Sequence, residues 1–312
     1  MAQSTLEHLI ASMNRVIVGK EDQIRLLVTA LLARGHVLLE DLPGMGKTVL
    51  AKTLAQAIGG TYNRLQFTAD LLPSDVIGLH VYNQRTQEFE LRKGPVFADV
   101  LLADEINRAT PRTQSGLLES MEERQVTIEG ITLPLPSSML VIATQNPIES
   151  EGTYPLPEAQ LDRFLFKLSL GYGTQEDARE ILRRFRSESP LEKIEPVIST
   201  SEIAALQREV TLVHVSKAVE DYIIDLTEAT RTHRSVEVGI SPRAMLALLR
   251  SAQAAAFLAG RTYVLPDDVK GVFPSLATHR IRLSMEAELH VTESEVTQQI
   301  LQSVPVPVEE SV

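Results

Sequence analysis

The sequence predicts an α/β fold: a doubly wound parallel sheet flanked by helices, followed by a small all-helical domain. Three observations predict it. Short apolar runs alternate with helical stretches up to about residue 170, the pattern of a parallel sheet covered on both faces. One of these runs leads through a glycine-containing loop straight into a helix. From Thr174 onward the apolar spacing is helical alone. The expected division is a sheet core over residues 1–171, a helical domain over 172–290 and a flexible acidic tail over 291–312.

The elements follow in order. Ser4 to Glu7 matches a capping box and leads a helix with Leu6, Leu9, Ile10 and Met13 on one side. Val18-Gly19-Lys20-Glu21 turns into a second helix through Leu32. Strands are expected at Val37-Leu38-Leu39, Val100-Leu101-Leu102-Ala103, Met139-Leu140-Val141-Ile142-Ala143 and Phe164-Leu165-Phe166, each bounded by polar, Gly or Pro residues. Thr110-Pro111 opens a helix that turns Leu117, Leu118 and Met121 inward and leaves Glu119, Glu122 and Glu123 as a solvated face. Farther on, Thr174-Gln175-Glu176-Asp177 makes a capping box with Asp in place of the usual Glu. Val219, Ile223, Leu226 and Ala229 recur at helical spacing, and Pro266-Asp267-Asp268 opens a last helix. Ser241-Pro242 supplies an N-cap and a Pro at the first helical position. Val304-Pro305-Val306-Pro307 and Glu309-Glu310 read as a loose end.

Composition narrows the classes. The absence of cysteine excludes disulfides, thiolate metal sites and thiol nucleophiles, and suits a reducing compartment. The N-terminus has no basic stretch followed by an apolar run, so no signal peptide is expected. No apolar segment approaches the roughly 20 residues of a membrane helix. A cytoplasmic protein without a membrane span is expected. A net charge of −11, with no Lys/Arg cluster, disfavours wholesale nucleic-acid binding, a local basic loop apart.

The strongest chemical signal is Val37–Thr53. A strand ends at Glu40, a loop Asp41-Leu42-Pro43-Gly44-Met45-Gly46 follows, and Lys47-Thr48-Val49 opens a helix. Backbone N–H groups of such a loop and of a helix N-terminus converge on phosphate oxygens. Lys47 would reach the β- and γ-phosphates of ATP, and the Thr48 hydroxyl would ligate Mg2+. The consensus first glycine of this loop falls on Asp41, a departure expected to change how the chain runs into the loop without disabling it.

Val100–Glu105 places two carboxylates at the C-terminal end of a strand, where open α/β sheets put their sites. Asp104 suits the Mg2+ shell and Glu105 an attacking water. Asn146, in Thr144-Gln145-Asn146-Pro147, would hold the water or the γ-phosphate; Asn-Pro is also a common turn pair, and spacing alone does not choose between the two. Arg163 follows a Pro/Gly-rich loop, and Arg243 sits in the first turn of a helix, where a cation is unfavourable unless an anion is near. A surface salt bridge is the ordinary fate of either.

Together these pieces resemble an AAA+ ATPase, and in particular the MoxR family. The similarity rests on Glu40 through Thr48, Phe67 through Asp75, Gly94-Pro95-Val96-Phe97, Asp104 through Ala109, Gln114 through Val126, Ala143 through Pro147, Pro157 through Phe164 and Ser241 through Ala244. An acidic residue in place of the first loop glycine belongs to that resemblance. It implies an AAA+ P-loop core with an all-α lid, Asp104 and Glu105 as the Walker B pair, Asn146 as sensor 1 and Arg243 as sensor 2. Arg163 would be an arginine finger acting on a neighbouring subunit's nucleotide, which requires a homo-oligomeric ring, expected to be a hexamer. Val18 and Gly19 would border the adenine. Leu79–Arg92 and Arg124–Pro136 would form the two hairpin insertions of the family.

The function so implied is a chaperone-like, Mg-ATP-driven remodelling or maturation of a client enzyme complex, with a separate von Willebrand factor A domain protein as partner. Three rivals carry different expectations. A nucleic-acid-dependent motor would be stimulated by DNA. A metal-chelatase motor subunit would associate with a porphyrin-binding subunit. A nucleotide-binding regulator would be indifferent to Glu105→Gln.

Overall fold

A computed structural model describes residues 2–146, 152–186 and 189–307. Pro147 and Glu309-Glu310 of the sequence reading lie outside them. Nine strands concern the argument: β1 (Val37–Glu40), β2 (Tyr62–Gln66), β3 (Gly78–Asn83), β4 (Glu88–Lys93), β5 (Val100–Asp104), β6 (Gln125–Ile128), β7 (Ile131–Pro134), β8 (Leu140–Gln145) and β9 (Phe166–Leu168). The central sheet has the order β2-β5-β8-β1-β9, and every pair in it is parallel.

The three inner strands show why the sequence folds this way. Their side chains alternate between faces with period 2, and both faces are covered. Val37, Leu39, Val100, Leu102, Leu140 and Ile142 enter one apolar cluster. Leu38, Leu101, Ala103, Val141 and Ala143 enter a second one, on the opposite face. A residue buried on either side must be apolar, so these strands read as unbroken apolar runs.

The first cluster continues without a break into the helical part. It joins the N-terminal helices Ala2–Asn14 and Glu21–Leu32 to helices Thr200–Val210, Lys217–Thr232, Pro242–Leu258 and Pro266–Ala277. The helical region therefore shares its core with the sheet domain. The second cluster lies under helix Pro111–Glu123 and the hairpin β6–β7. The hairpin β3–β4 projects farther and carries Tyr82 and Phe89 edge to face, both exposed. Among the described residues no helix is long and apolar enough to cross a membrane.

Four expectations need correction. The helix expected from a Ser4 cap already runs from Ala2, so Ser4 lies inside it; Leu6, Leu9, Ile10 and Met13 are buried as the periodicity required. The strand expected at Phe164 starts at Phe166. An edge strand, β2, escaped the apolar-run pattern because it has one sheet neighbour and half-exposed, mixed residues, Tyr62-Asn63-Arg64-Leu65-Gln66. The supposed flexible tail is a helix over Glu293–Ser303, with Val296, Thr297 and Ile300 buried. Its start was written in the sequence as a capping box, in which the Thr292 hydroxyl accepts from the Glu295 N–H and Glu295 accepts from the Thr292 N–H.

Candidate active site

Parallel strands end together, and their C-terminal tips build a cleft. In register Gln66 faces Asp104 and Glu40 faces Gln145, so the segments that follow β1, β2, β5 and β8 meet at one end of the sheet. The cleft there has a volume of about 380 Å³ and is lined by Pro43, Gly44, Gly46, Lys47, Thr48, Val49, Arg64, Gln66, Asp104, Glu105 and Asn146.

The loop after β1 turns on two glycines. Gly44 and Gly46 have φ of 83° and 87°, and a Cβ at either would meet nothing within 4 Å. The left-handed backbone, rather than crowding, is what requires glycine. Gly46 is the N-cap of helix Lys47–Ala57, with no side-chain cap and no acidic residue in the first turn. The N–H groups at that end are left to an anion. Lys47 donates from Nζ to the Asp41 carbonyl at 2.7 Å. Burial lowers its pKa, against the opposing pull of Asp41, Asp104 and Glu105.

Asp41 corrects the sequence reading of the loop. Its carboxylate does not face the cleft. It accepts from Ser169 Oγ at 2.8 Å, from the Leu170 N–H at 2.7 Å and from the Gly171 N–H at 3.0 Å. The residue that stands where a glycine was expected thus fastens the loop to the segment leading into the helical region. Leu42 and Met45 likewise do not line the cleft. Val18 and Gly19 lie outside it too, beside the first helix of the helical region: a Cβ on Gly19, whose φ is 67°, would come within 2.4 Å of the Asp177 carboxylate. Nearby, Lys20 Nζ donates to the Tyr172 carbonyl at 3.1 Å.

The carboxylate pair is held by its neighbours in the sheet. Thr144, fully buried on β8, donates from Oγ1 to Asp104 Oδ1 at 2.6 Å and accepts from the Glu105 N–H at 2.9 Å. Glu105 has φ of 56°, a left-handed conformation that costs a non-glycine residue about 1–3 kcal/mol and persists where surrounding bonds enforce it. From β2, Arg64 reaches Asp104 Oδ2, at 2.6 Å from Nη2, and Gln66 Nε2 donates to Glu105 Oε2 at 2.7 Å. Arg108 Nε pairs with the same Oε2 at 2.9 Å. Asn146 is 7% exposed at the cleft wall. Thr48 and Asp104 both line the cleft, and their oxygens are hard donors of the kind Mg2+ takes. Sequence reasoning missed Arg64, Gln66 and Thr144. The first two lie on the overlooked edge strand, two residues apart and so on one face of it.

The predicted arginines are elsewhere. Arg163 and Arg243 line a second cavity of about 490 Å³ together with Gly35, His36 and Leu165, residues that precede β1 and β9. That cavity is therefore at the N-terminal end of the sheet, with the length of β1, roughly 10 Å, between it and the phosphate loop. Arg243 does not approach its own chain's loop, contrary to the simplest reading of its place at a helix start. Its anion is Glu122, whose Oε1 lies 2.8 Å from Arg243 Nη1 while Oε2 lies 2.9 Å from Arg163 Nε. Glu122, expected on a solvated face, is the partner of both.

The chain is similar to known proteins along most of its length. Residues 36–166 match the ATPase family associated with various cellular activities (AAA), and residues 228–303 match the AAA lid domain. The uncharacterized protein YeaC of Bacillus subtilis is 49% identical over 98% of this chain and 95% of its own length. Chaperone MoxR1 of Mycobacterium tuberculosis is 44% identical over 97% of this chain and 82% of its own. The crystal structure of a candidate ATPase from Cytophaga hutchinsonii superposes with a TM-score of 0.92 at 40% identity, over 98% of this chain and 96% of that one. With a phosphate loop, a paired Asp-Glu strand tip and a lid in their expected order, the chain belongs to the MoxR family of AAA+ ATPases.

Proposed function

We propose that this protein hydrolyses Mg-ATP between the subunits of a homo-oligomeric ring, expected to be a hexamer, and uses the cycle to remodel or mature a client enzyme complex. The observation that carries this reading is the separation of two half-sites in one chain. The phosphate loop, Asp104 and Glu105 lie at the C-terminal end of the sheet, whereas Arg163 and Arg243 lie at its N-terminal end. A head-to-tail interface that closes into a ring would set one half against the other half of the next subunit.

Within this reading the roles follow from chemistry. The loop N–H groups from Gly44 to Val49 and the Lys47 ammonium bind the phosphates. Thr48 and Asp104 would hold Mg2+, which offsets phosphate charge. Glu105 takes the proton of the attacking water, Asn146 orients it, and Val18 and Gly19 border the adenine. Arg163 and Arg243 from the adjoining subunit stabilise charge on the transferring phosphoryl group, a contribution worth roughly 10³–10⁵ in rate for an arginine finger. The remodelling role rests on likeness to a relative named a chaperone, and the partner on the family resemblance: a separate von Willebrand factor A domain protein.

Mixed assemblies test the central claim. Arg163→Ala chains should bind ATP but not turn it over, and Lys47→Ala chains should fail to bind it. Mixing the two should restore phosphate release, because a loop with Lys47 then meets an intact Arg163 across some interfaces. A mixture as inactive as its parents would place Arg163 in cis and end the ring reading.

A further inference from the structure

The second cavity contains a device that the roles above do not use. Glu122 lies in the last turn of helix Pro111–Glu123, on the sheet domain, and its two oxygens are divided between two cations of different origin. Arg163 comes from the loop ahead of β9, Arg243 from the first turn of helix Pro242–Leu258. Two guanidinium groups brought this close repel, and a carboxylate between them reverses the sign of the local interaction. It also offsets the unfavourable position of Arg243 at a helix N-terminus.

The geometry favours presentation of Arg163 over its neutralisation. Glu122 meets Arg163 at Nε, the inner edge of the guanidinium, at 2.9 Å, whereas phosphate is taken in a fork that uses the terminal nitrogens. Both pairs are partly exposed, with the three side chains between 27% and 48% accessible. Pairs of that kind are weak, about 0–1 kcal/mol, so Glu122 can orient the arginines without outcompeting a polyphosphate for them.

The backbone under Arg163 is fixed from the other side. Arg280, just beyond helix Pro266–Ala277, is almost wholly buried and spends every N–H on this region. Nε donates to Asp162 Oδ1 at 2.6 Å, Nη1 to the carbonyls of Leu165 and Leu276, and Nη2 to those of Asp162 and Phe164. The arginine loop is thus bonded to the lid through Arg280. The Arg163 side chain is bonded to the lid's Arg243 through Glu122.

We propose that Glu122 is a positioning residue: it ties Arg163 to Arg243 so that both guanidinium groups meet the neighbouring subunit's phosphates as one unit. This rests on the inter-subunit reading above. The test measures ATP turnover and ring size of the full-length chain. Glu122→Gln, which keeps shape and removes charge, should lower kcat about tenfold or more, as misplaced catalytic groups do, and leave KM and the oligomer unchanged. Glu122→Asp should recover part of the loss. In an Arg163→Lys background, Glu122→Gln should cost little more, because the geometry it protects is already gone. A kcat within twofold of wild type, a raised kcat, a lost oligomer, or a loss that multiplies in full with Arg163→Lys would each overturn the proposal. The mixed-assembly experiment fails or succeeds without Glu122, so a failure of the inter-subunit reading is separately visible.

Discussion

Gln66 donates from Nε2 to Oε2 of Glu105 at 2.7 Å, and the two residues sit on adjacent strand ends of the parallel sheet. The contact engages the carboxylate that the proposed mechanism needs for the attacking water. A carboxylate oxygen that accepts from Gln66 and pairs with Arg108 is less free to turn toward water. Gln66→Ala should therefore raise basal turnover. One hydrogen bond is worth about 1 kcal/mol, so the rise should be roughly fivefold, read as steady-state phosphate release. A fall in turnover would mean that Gln66 assists Glu105 instead of restraining it.

Thr144 gives a second prediction. Its hydroxyl is bonded to both members of the carboxylate pair, to the Asp104 side chain and to the Glu105 N–H. Thr144→Val keeps the volume and removes both bonds. Glu105, already in a left-handed conformation, loses the bond that holds its amide there. Turnover should drop roughly tenfold, since a hydrogen bond to a charged group is worth about 1.5–3 kcal/mol. ATP affinity, set by the loop, should change much less. Equilibrium binding of a fluorescent nucleotide beside a turnover assay separates the two.

Asp41 predicts an outcome contrary to sequence consensus. Asp41→Gly would restore the glycine common at this point of phosphate loops, yet it should destabilise the protein. The substitution strips Leu170 and Gly171 of the acceptor for their N–H groups. A buried donor left unsatisfied costs about 1–3 kcal/mol, so Tm should fall by roughly 4 °C or more. Because Asp41 ties the loop to the start of the helical region, nucleotide affinity should weaken as well. A thermal melt with and without ATP measures both, and an unchanged Tm would show that solvent replaces the lost acceptor.

The same residues explain which parts of the fold and site were legible in the sequence. The phosphate loop was legible because its requirements are local: left-handed backbone at Gly44 and Gly46, then a helix start at Lys47. The inner strands were legible because burial on both faces forces continuous apolar runs. Strand β2 was not, since an edge strand tolerates Asn63, Arg64 and Gln66, and with it went the two side chains that restrain Asp104 and Glu105. The place of Arg163 and Arg243 was hidden for a topological reason: periodicity finds a helix or a strand but does not say at which end of a sheet a loop emerges. Glu122 looked solvated because a polar helix face carries no mark of what another segment lays against it.

Two buried histidines supply a prediction about acid. His36, beneath the sheet's N-terminal end, accepts from the Val141 N–H at Nδ1, at 3.0 Å, which leaves Nε2 to donate to the Met121 carbonyl at 3.1 Å. Burial and the nearby Arg124 push its pKa down to about 3. His279 is held well below the usual value by burial and by Arg280, and donates to the Phe164 carbonyl. Both stay neutral in the folded chain, whereas the unfolded chain takes up protons below about pH 6.5. The unfolded state then binds more protons, so stability must fall as pH falls, by up to about 1.4 kcal/mol per pH unit for each histidine. For His36 the loss extends from about pH 6.5 down toward its folded value of about 3. His36→Asn should be less stable than wild type at pH 7.5, because the core loses ring volume. Its stability should nonetheless decline more gently with acid, since one of the two proton acceptors has gone. Denaturant unfolding at a series of pH values tests this, and a wild-type stability that stayed flat between pH 7 and pH 5 would contradict the neutral, buried state of both rings.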